Sequence, residues 1–236
     1  MSSNQIIQRS ESFVDYLEKW LEDLPVLSLD QIVSDPEKVA IISEDMVNGF
    51  CYEGPLASPR VQGIIRPIVN LFEMIWETGV RNILLSQDSH EPDAIEFDAY
   101  PSHCVRGSSQ AEPVPEIKAL PFFDQMTIFP KNSISIDAQM DLGKWLLDHP
   151  EVEIFIVVGD CTDICIYQLA MYLRTDANER QIKRRVIVPV NCVQTYDMQV
   201  DLAIEIGALP HDGDFLHGVF LYHMALNKIE VVQEIR

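Results

Sequence analysis

The sequence predicts an α/β protein: a three-layer, Rossmann-like fold with a parallel sheet of six strands and helices on both faces. Three observations predict it. Short, mostly apolar runs occur at 39–43, 83–86, 126–129, 154–158, 186–190 and 229–232, the pattern of strands buried on both faces. Segments with helical spacing of apolar residues separate them. The chain has 236 residues, 47% of them hydrophobic, which suffices for one large domain with its own core.

Taken in order, residues 13–24 place Phe13, Leu17, Trp20, Leu21 and Leu24 among Asp15, Glu18, Lys19, Glu22 and Asp23. This spacing predicts an amphipathic helix whose apolar face is buried on its own domain or on a neighbouring subunit. The stretch 25–38 contains two prolines and reads as an irregular connector. The chain therefore divides into an N-terminal helical extension, 1–38, and a main domain, 39–236. A helix is predicted over 58–78, where Ile65, Val69, Phe72, Ile75 and Trp76 recur at helical spacing. Pro67 is expected to kink it and Gly79 to end it. Further helices are predicted at 137–148, 164–178, 196–206 and 212–226. No internal repeat or low-complexity tract interrupts this order.

The charge balance excludes some functions. Seventeen Lys and Arg face 37 Asp and Glu, a net charge of −20. Such a surface repels phosphate backbones and anionic headgroups, so neither nucleic acid nor a membrane is an expected partner. No apolar run approaches the roughly 20 residues of a membrane span. The first 20 residues are of mixed charge and do not read as a signal peptide. Five cysteines, an odd number without framework spacing, favour a reducing compartment, and a cytoplasmic location is expected.

In a parallel sheet, ligands sit at the carboxyl ends of the strands, and reactive residue types follow four of them. Glu44 and Asp45 follow the first, Asp88 and His90 the second, Lys131 the third, and Cys161 and Cys165 the fourth. Cys165 is the candidate nucleophile. It falls in the first turn of a helix that Thr162 or Asp163 can cap, where unpaired N–H groups and the helix dipole favour a thiolate and can hold an oxyanion. A nucleophilic thiol needs a proton acceptor, which Asp45 can supply, and Lys131 can hold carboxylate and sulfur in register. The plainer alternatives are a buried helical cysteine, a turn aspartate and a surface lysine. The C-x3-C spacing of Cys161 and Cys165 also leaves a redox pair or a structural metal site open. Asp88, His90, Glu96 and His103 offer two carboxylates and two imidazoles within 16 residues, a donor set for one divalent ion: zinc first, with manganese or iron(II) as alternatives. His149, His211, His217 and His223 lack such acidic company and read as surface or core histidines.

The segments DMVNGF at 45–50, DSH at 88–90, YPSHCVRGS at 100–108, PK at 130–131 and GDCTDIC at 159–165, in this order, resemble the isochorismatase-like cysteine hydrolase superfamily, most closely its nicotinamidase/pyrazinamidase branch. The resemblance covers residues 39–232. It implies a catalytic triad of Asp45, Lys131 and Cys165, with Asp88, His90, Glu96 and His103 as metal ligands. Phe50 and Tyr100 match the positions that sandwich a pyridine ring, Tyr100 standing where Trp or Phe is more usual. It further implies a cis peptide at Asp160–Cys161 and an oxyanion hole built from the backbone N–H groups of Cys161 and Cys165. The implied activity is metal-dependent hydrolysis of nicotinamide to nicotinate and ammonia through a thioester, in a homo-oligomer whose only other partner is a small amide. The alternatives are hydrolysis of another small amide, of the ureidoacrylate or maleamate type, and a non-catalytic or redox protein on the same fold.

Overall fold

The computed structural model describes residues 3–136 and 141–236, the first seven of these by backbone alone. Its strands are β1 (Val26–Leu27), β2 (Val39–Glu44), β3 (Asn82–Asp88), β4 (Thr127–Lys131), β5 (Ile154–Asp160), β6 (Arg185–Pro189), β7 (Val193–Gln194), β8 (Glu230–Val232) and β9 (Glu234–Ile235). Its helices are α1 (Ser3–Glu22), α2 (Asn48–Cys51), α3 (Pro59–Gln62), α4 (Ile65–Glu77), α5 (Pro115–Lys118), α6 (Asp141–Asp148), α7 (Cys165–Glu179), α8 (Val200–Ile206) and α9 (Gly213–Leu226).

The main sheet is parallel throughout and runs β4-β3-β2-β5-β6-β8, with β7 beside the end of β5. It has seven strands rather than the predicted six. The addition, Val193–Gln194, is two residues long and has no hydrophobic run of its own to announce it. Alternation along the central strands feeds two cores. Ile41, Ile156 and Val158 pack with α4 through Ile68, Phe72 and Ile75. Ala40, Ile42, Phe155 and Val157 pack with α7 and α9 through Ile166, Leu169, Leu173 and Leu221. Each buried aliphatic side chain contributes about 1.5–3 kcal/mol, and the two cores together make the three layers. The strand order reverses between β2 and β5, and the cleft outside their carboxyl ends is where such sheets bind ligands.

Some local expectations differ from the structure. Pro67 does not kink its helix. It lies in the first turn of α4, where its missing N–H costs nothing, and the break comes earlier, around Gly63, between α3 and α4. Gly79 does end α4, at φ +98°. The connector 25–38 is partly regular, because β1 pairs in parallel with β9. The helix predicted from 196 begins at Val200. The helix predicted at 137–148 is present over Asp141–Asp148, and 137–140 lie outside the described residues.

The N-terminal helix, described from Ser3 onward, lies against α9 of its own chain. Leu17 is buried, Gly218 of α9 admits the close approach of Leu21, and Tyr222 meets Phe13, Tyr16 and Trp20 edge-on at 5.3–5.9 Å. Leu17→Ala is expected to cost about 2–4 kcal/mol through the cavity it leaves. Thermal melting should show the loss, with turnover at 25 °C unchanged; an unaltered melting temperature would mean that the helix does not stabilise the domain. No helix among the described residues is long and apolar enough to cross a membrane.

Candidate active site

Four strand ends meet at one point. At the end of β2, Asp45 adopts φ +57°, a left-handed conformation that costs about 1 kcal/mol or more for a non-glycine residue and is held by its surroundings. Its N–H donates to the Ser86 carbonyl at 2.8 Å, and its Oδ1 accepts the Asp88 N–H at 2.8 Å. Gly159, at φ +115°, lets β5 pass the end of β2. A Cβ there would lie 2.0 Å from the Glu44 carbonyl oxygen, so no other residue fits. Lys131, the last residue of β4, is fully buried. Its Nζ donates to Asp45 Oδ2 at 2.7 Å, pairs also with Asp88 Oδ1, and stands 3.9 Å from Cys165 Sγ.

The turn that carries the candidate nucleophile runs from β5 through a cis peptide at Asp160–Cys161 to Cys165, the first residue of α7. As a first helical residue, Cys165 has no intrahelical acceptor for its N–H. The predicted cap is absent: the cap position is Ile164, which makes no side-chain cap bond. Thr162 instead bonds the His217 ring at 2.8 Å, and Asp163 bonds Thr195 and His211. The thiol also departs from expectation. Burial pushes Cys165 well above its ordinary pKa despite the lowering pull of Lys131, so the resting group is a thiol and not a preformed thiolate. Burial, and then Asp88, push Asp45 up to about 6 against Lys131, which suits a carboxylate that accepts a proton near neutrality. For Asp88, burial acts upward, but Lys131 and the two imidazoles outweigh it and hold this carboxyl well below its usual range. Burial pushes Glu44 up to about 8 and raises Asp160 well above normal. The Lys131 ammonium faces the buried carboxyls of Asp45 and Asp88.

The four predicted ligand residues converge. One donor atom from each of Asp88, His90, Glu96 and His103 lies within 4.8 Å of the others. His90 Nδ1 faces Asn132 Oδ1 at 3.2 Å, and His103 Nδ1 faces the Pro101 carbonyl at 2.8 Å. Those acceptors fix both rings with Nε2 turned inward, the orientation of metal-binding histidines. Glu96 Oε2 accepts the Ile134 N–H at 3.2 Å, which leaves Oε1 toward the group. His90 Nε2 and Glu96 Oε1 are buried without a hydrogen-bond partner. Inward-facing orphan acceptors around an anionic centre fit a cation.

A cavity of about 550 Å³ joins the two groups: Asp45 and Cys165 of the first and Asp88, Glu96 and His103 of the second line it, together with Phe50 and Tyr100. Phe50 lies 5.5 Å and Tyr100 6.3 Å from the His103 ring. All the residues singled out from the sequence therefore lie together. Others were missed: Tyr196 and Asp160 also line the cavity, and Asn132 orients His90. Asn132 directly follows Lys131, so its place after a strand end was a usable signal. Tyr196 had none, because it looked like the start of a helix.

The isochorismatase domain model matches residues 39–206. Nicotinamidase 1 of Arabidopsis thaliana is 27% identical over 242 aligned positions, covering 95% of this chain and 97% of that protein. Among solved structures, the pyrazinamidase of Pyrococcus horikoshii in complex with zinc is similar with a TM-score of 0.64 at 23% identity, over 83% of this chain and 99% of that one. The N-carbamoylsarcosine amidase of Thermoplasma acidophilum is similar with a TM-score of 0.61 at 22% identity, over 83% and 96%.

Proposed function

The chain belongs to the isochorismatase family, and from that premise we propose that it is a metal-dependent cysteine amidohydrolase converting nicotinamide to nicotinate and ammonia. The observation that carries the proposal is Lys131, whose ammonium joins the Asp45–Cys165 pair to the metal-type quartet through Asp88. That link supports a nucleophile and a cation site acting on one substrate. The 27% identical plant nicotinamidase, similar along nearly its whole length, supports the same substrate.

In this mechanism Asp45 accepts the Cys165 proton as sulfur attacks the carboxamide carbon. Because the resting thiol is neutral, proton transfer and attack belong to one step. The backbone N–H groups of Cys161 and Cys165 hold the oxyanion. Asp45 then returns the proton to nitrogen, the C–N bond breaks and ammonia leaves. Asp45 next takes a proton from water as the water oxygen attacks the thioester carbon; the C–S bond breaks, Asp45 returns that proton to the Cys165 sulfur, and nicotinate leaves, its carboxyl proton passing to solvent. Lys131 keeps Asp45 aimed and offsets negative charge on sulfur. Phe50 and Tyr100 hold the ring. A divalent ion held by Asp88, His90, Glu96 and His103, when bound, supplies a Lewis-acid contact for the ring nitrogen that orients the substrate. Two oxygen and two nitrogen donors suit zinc first, and manganese or iron(II) next.

The lining also bears on the substrate. It includes Phe50 and Tyr100 beside Asp88, Glu96 and His103. A carboxylate-bearing amide such as maleamate or ureidoacrylate offers neither a ring for Phe50 and Tyr100 nor a ring nitrogen for the proposed ion, whereas nicotinamide and pyrazinamide offer both. Ammonia release should therefore occur from nicotinamide and pyrazinamide, and not from maleamate or ureidoacrylate. Release only from the acidic pair would reject the nicotinamide reading.

A further inference from the structure

A second polar cluster, unused in the scheme above, lies behind the nucleophile turn. Asp163 belongs to that turn. Its Oδ1 accepts the Thr195 hydroxyl at 2.6 Å, and its Oδ2 lies 2.8 Å from His211 Nε2. The other ring nitrogen, Nδ1, is 3.0 Å from the Tyr196 carbonyl oxygen, and the imidazole stacks on the Tyr196 ring with centroids 3.9 Å apart and planes at 19°. Tyr196 lines the cavity beside Cys161 and Cys165. His211 and Met198 exchange two backbone hydrogen bonds, of 2.7 and 2.8 Å, which close the neck of the excursion that holds α8; its Gly207, Ala208 and Leu209 also line the cavity. One buried imidazole thus touches the nucleophile turn on one side and the cavity wall on the other.

The turn needs such an anchor. The cap position of α7 makes no side-chain cap bond, so the side chains that tie the turn down are Thr162, to His217, and Asp163, to Thr195 and His211. The N–H groups proposed to hold the oxyanion act only at the right position, and a displacement of about 1 Å at a reacting group costs on the order of 100-fold in rate.

We propose that His211 is a positioning residue for the hydrolysis: through Asp163 it fixes the nucleophile turn, and through its stack on Tyr196 it fixes the wall against which the substrate rests. The proposal rests on the cysteine-hydrolase reading of the site. Its two arms are separable, because one uses the ring nitrogens and the other the flat ring. His211→Phe keeps the ring and loses both nitrogens. In the metal-loaded enzyme its kcat for nicotinamide should fall about tenfold, with KM within about twofold of the parent. His211→Gln keeps a donor for Asp163 and loses the stack, so the split should reverse, with KM raised severalfold and kcat nearly retained. Combining His211→Phe with Asp163→Asn should cost no more than the more damaging single change, as expected of two ends of one contact. Thermal melting of each variant separates positioning from unfolding. A parental kcat in His211→Phe, additive effects in the double variant, or losses that simply follow the melting temperature would each overturn the proposal. Alkylation of Cys165 by iodoacetamide, followed on the Cys165 peptide, reads the same turn without any substrate. It should slow in His211→Phe and keep the parental rate in Leu17→Ala, which lies in the N-terminal helix away from the cavity; equal rates in all three proteins would reject the role of His211 even if nicotinamide proved to be the wrong amide.

Discussion

Cys165→Ala is expected to abolish ammonia release, by about 10⁴-fold or more, because the thioester route loses its only nucleophile. The fold should survive. Cys165 is buried at the start of α7 with its sulfur near Lys131, and replacing a thiol by hydrogen removes little packing volume; a stability change of about 1 kcal/mol is expected. Cys161→Ala is the matched control. Its thiol lies 3.7 Å from Asp160 Oδ2, and the role proposed for this residue belongs to its backbone N–H, which alanine retains. Turnover should therefore stay within about tenfold of the parent. Steady-state ammonia release and trapping of an acyl-enzyme by mass spectrometry check both variants. An inactive Cys161→Ala beside an active Cys165→Ala would overturn the triad and bring back the redox reading of the C-x3-C pair.

The contrast between these cysteines shows which parts of the site were legible in the sequence. Asp45, Asp88, Lys131 and Cys165 could be picked out because a parallel sheet gathers the carboxyl ends of its strands. Short apolar runs announce those ends, and the next polar residue falls in the cleft. The four candidate ligands were legible from composition and order in one short segment. What the sequence did not reveal depends on contacts between distant segments. The position of Cys165 at a helix start argues for a lowered thiol pKa, yet burial outweighs the helix end and Lys131 and raises it. Thr162 and Asp163 have the chemistry of helix caps, but partners 32 to 55 residues away claim their side chains. Tyr196 lines the cavity while stacked on His211, 15 residues further along, and Val193–Gln194 is a strand because β5 lies beside it. No local pattern encodes such pairings.

Removing the metal is the second large effect expected, and it should appear in KM more than in kcat. The triad meets the quartet at Asp88, whose carboxylate pairs with Lys131 and whose backbone N–H bonds Asp45, and these contacts need no ion, so the thiol, its base and the backbone N–H groups should remain in place when a chelator empties the site. What is lost is the group that orients the ring. KM for nicotinamide should rise about tenfold or more after chelation and return when zinc, manganese or iron(II) is restored, with elemental analysis giving one ion per chain. His103→Ala should reproduce part of this effect. Its Nδ1 is pinned by the Pro101 carbonyl and its Nε2 stands 3.5 Å from Asp88 Oδ2, so its loss opens one corner of the quartet and lowers both retained metal and affinity for the ring. Asn132→Ala tests the support behind the ligands. It frees His90 Nδ1 and removes no donor atom, so metal affinity should fall by about 10- to 100-fold with the cavity unchanged in shape. Full activity in protein verified to be metal-free would reject the nicotinamidase reading. It would leave the Asp45–Lys131–Cys165 amidohydrolase standing, with Asp88 then serving only as the second carboxylate that keeps Lys131 in position.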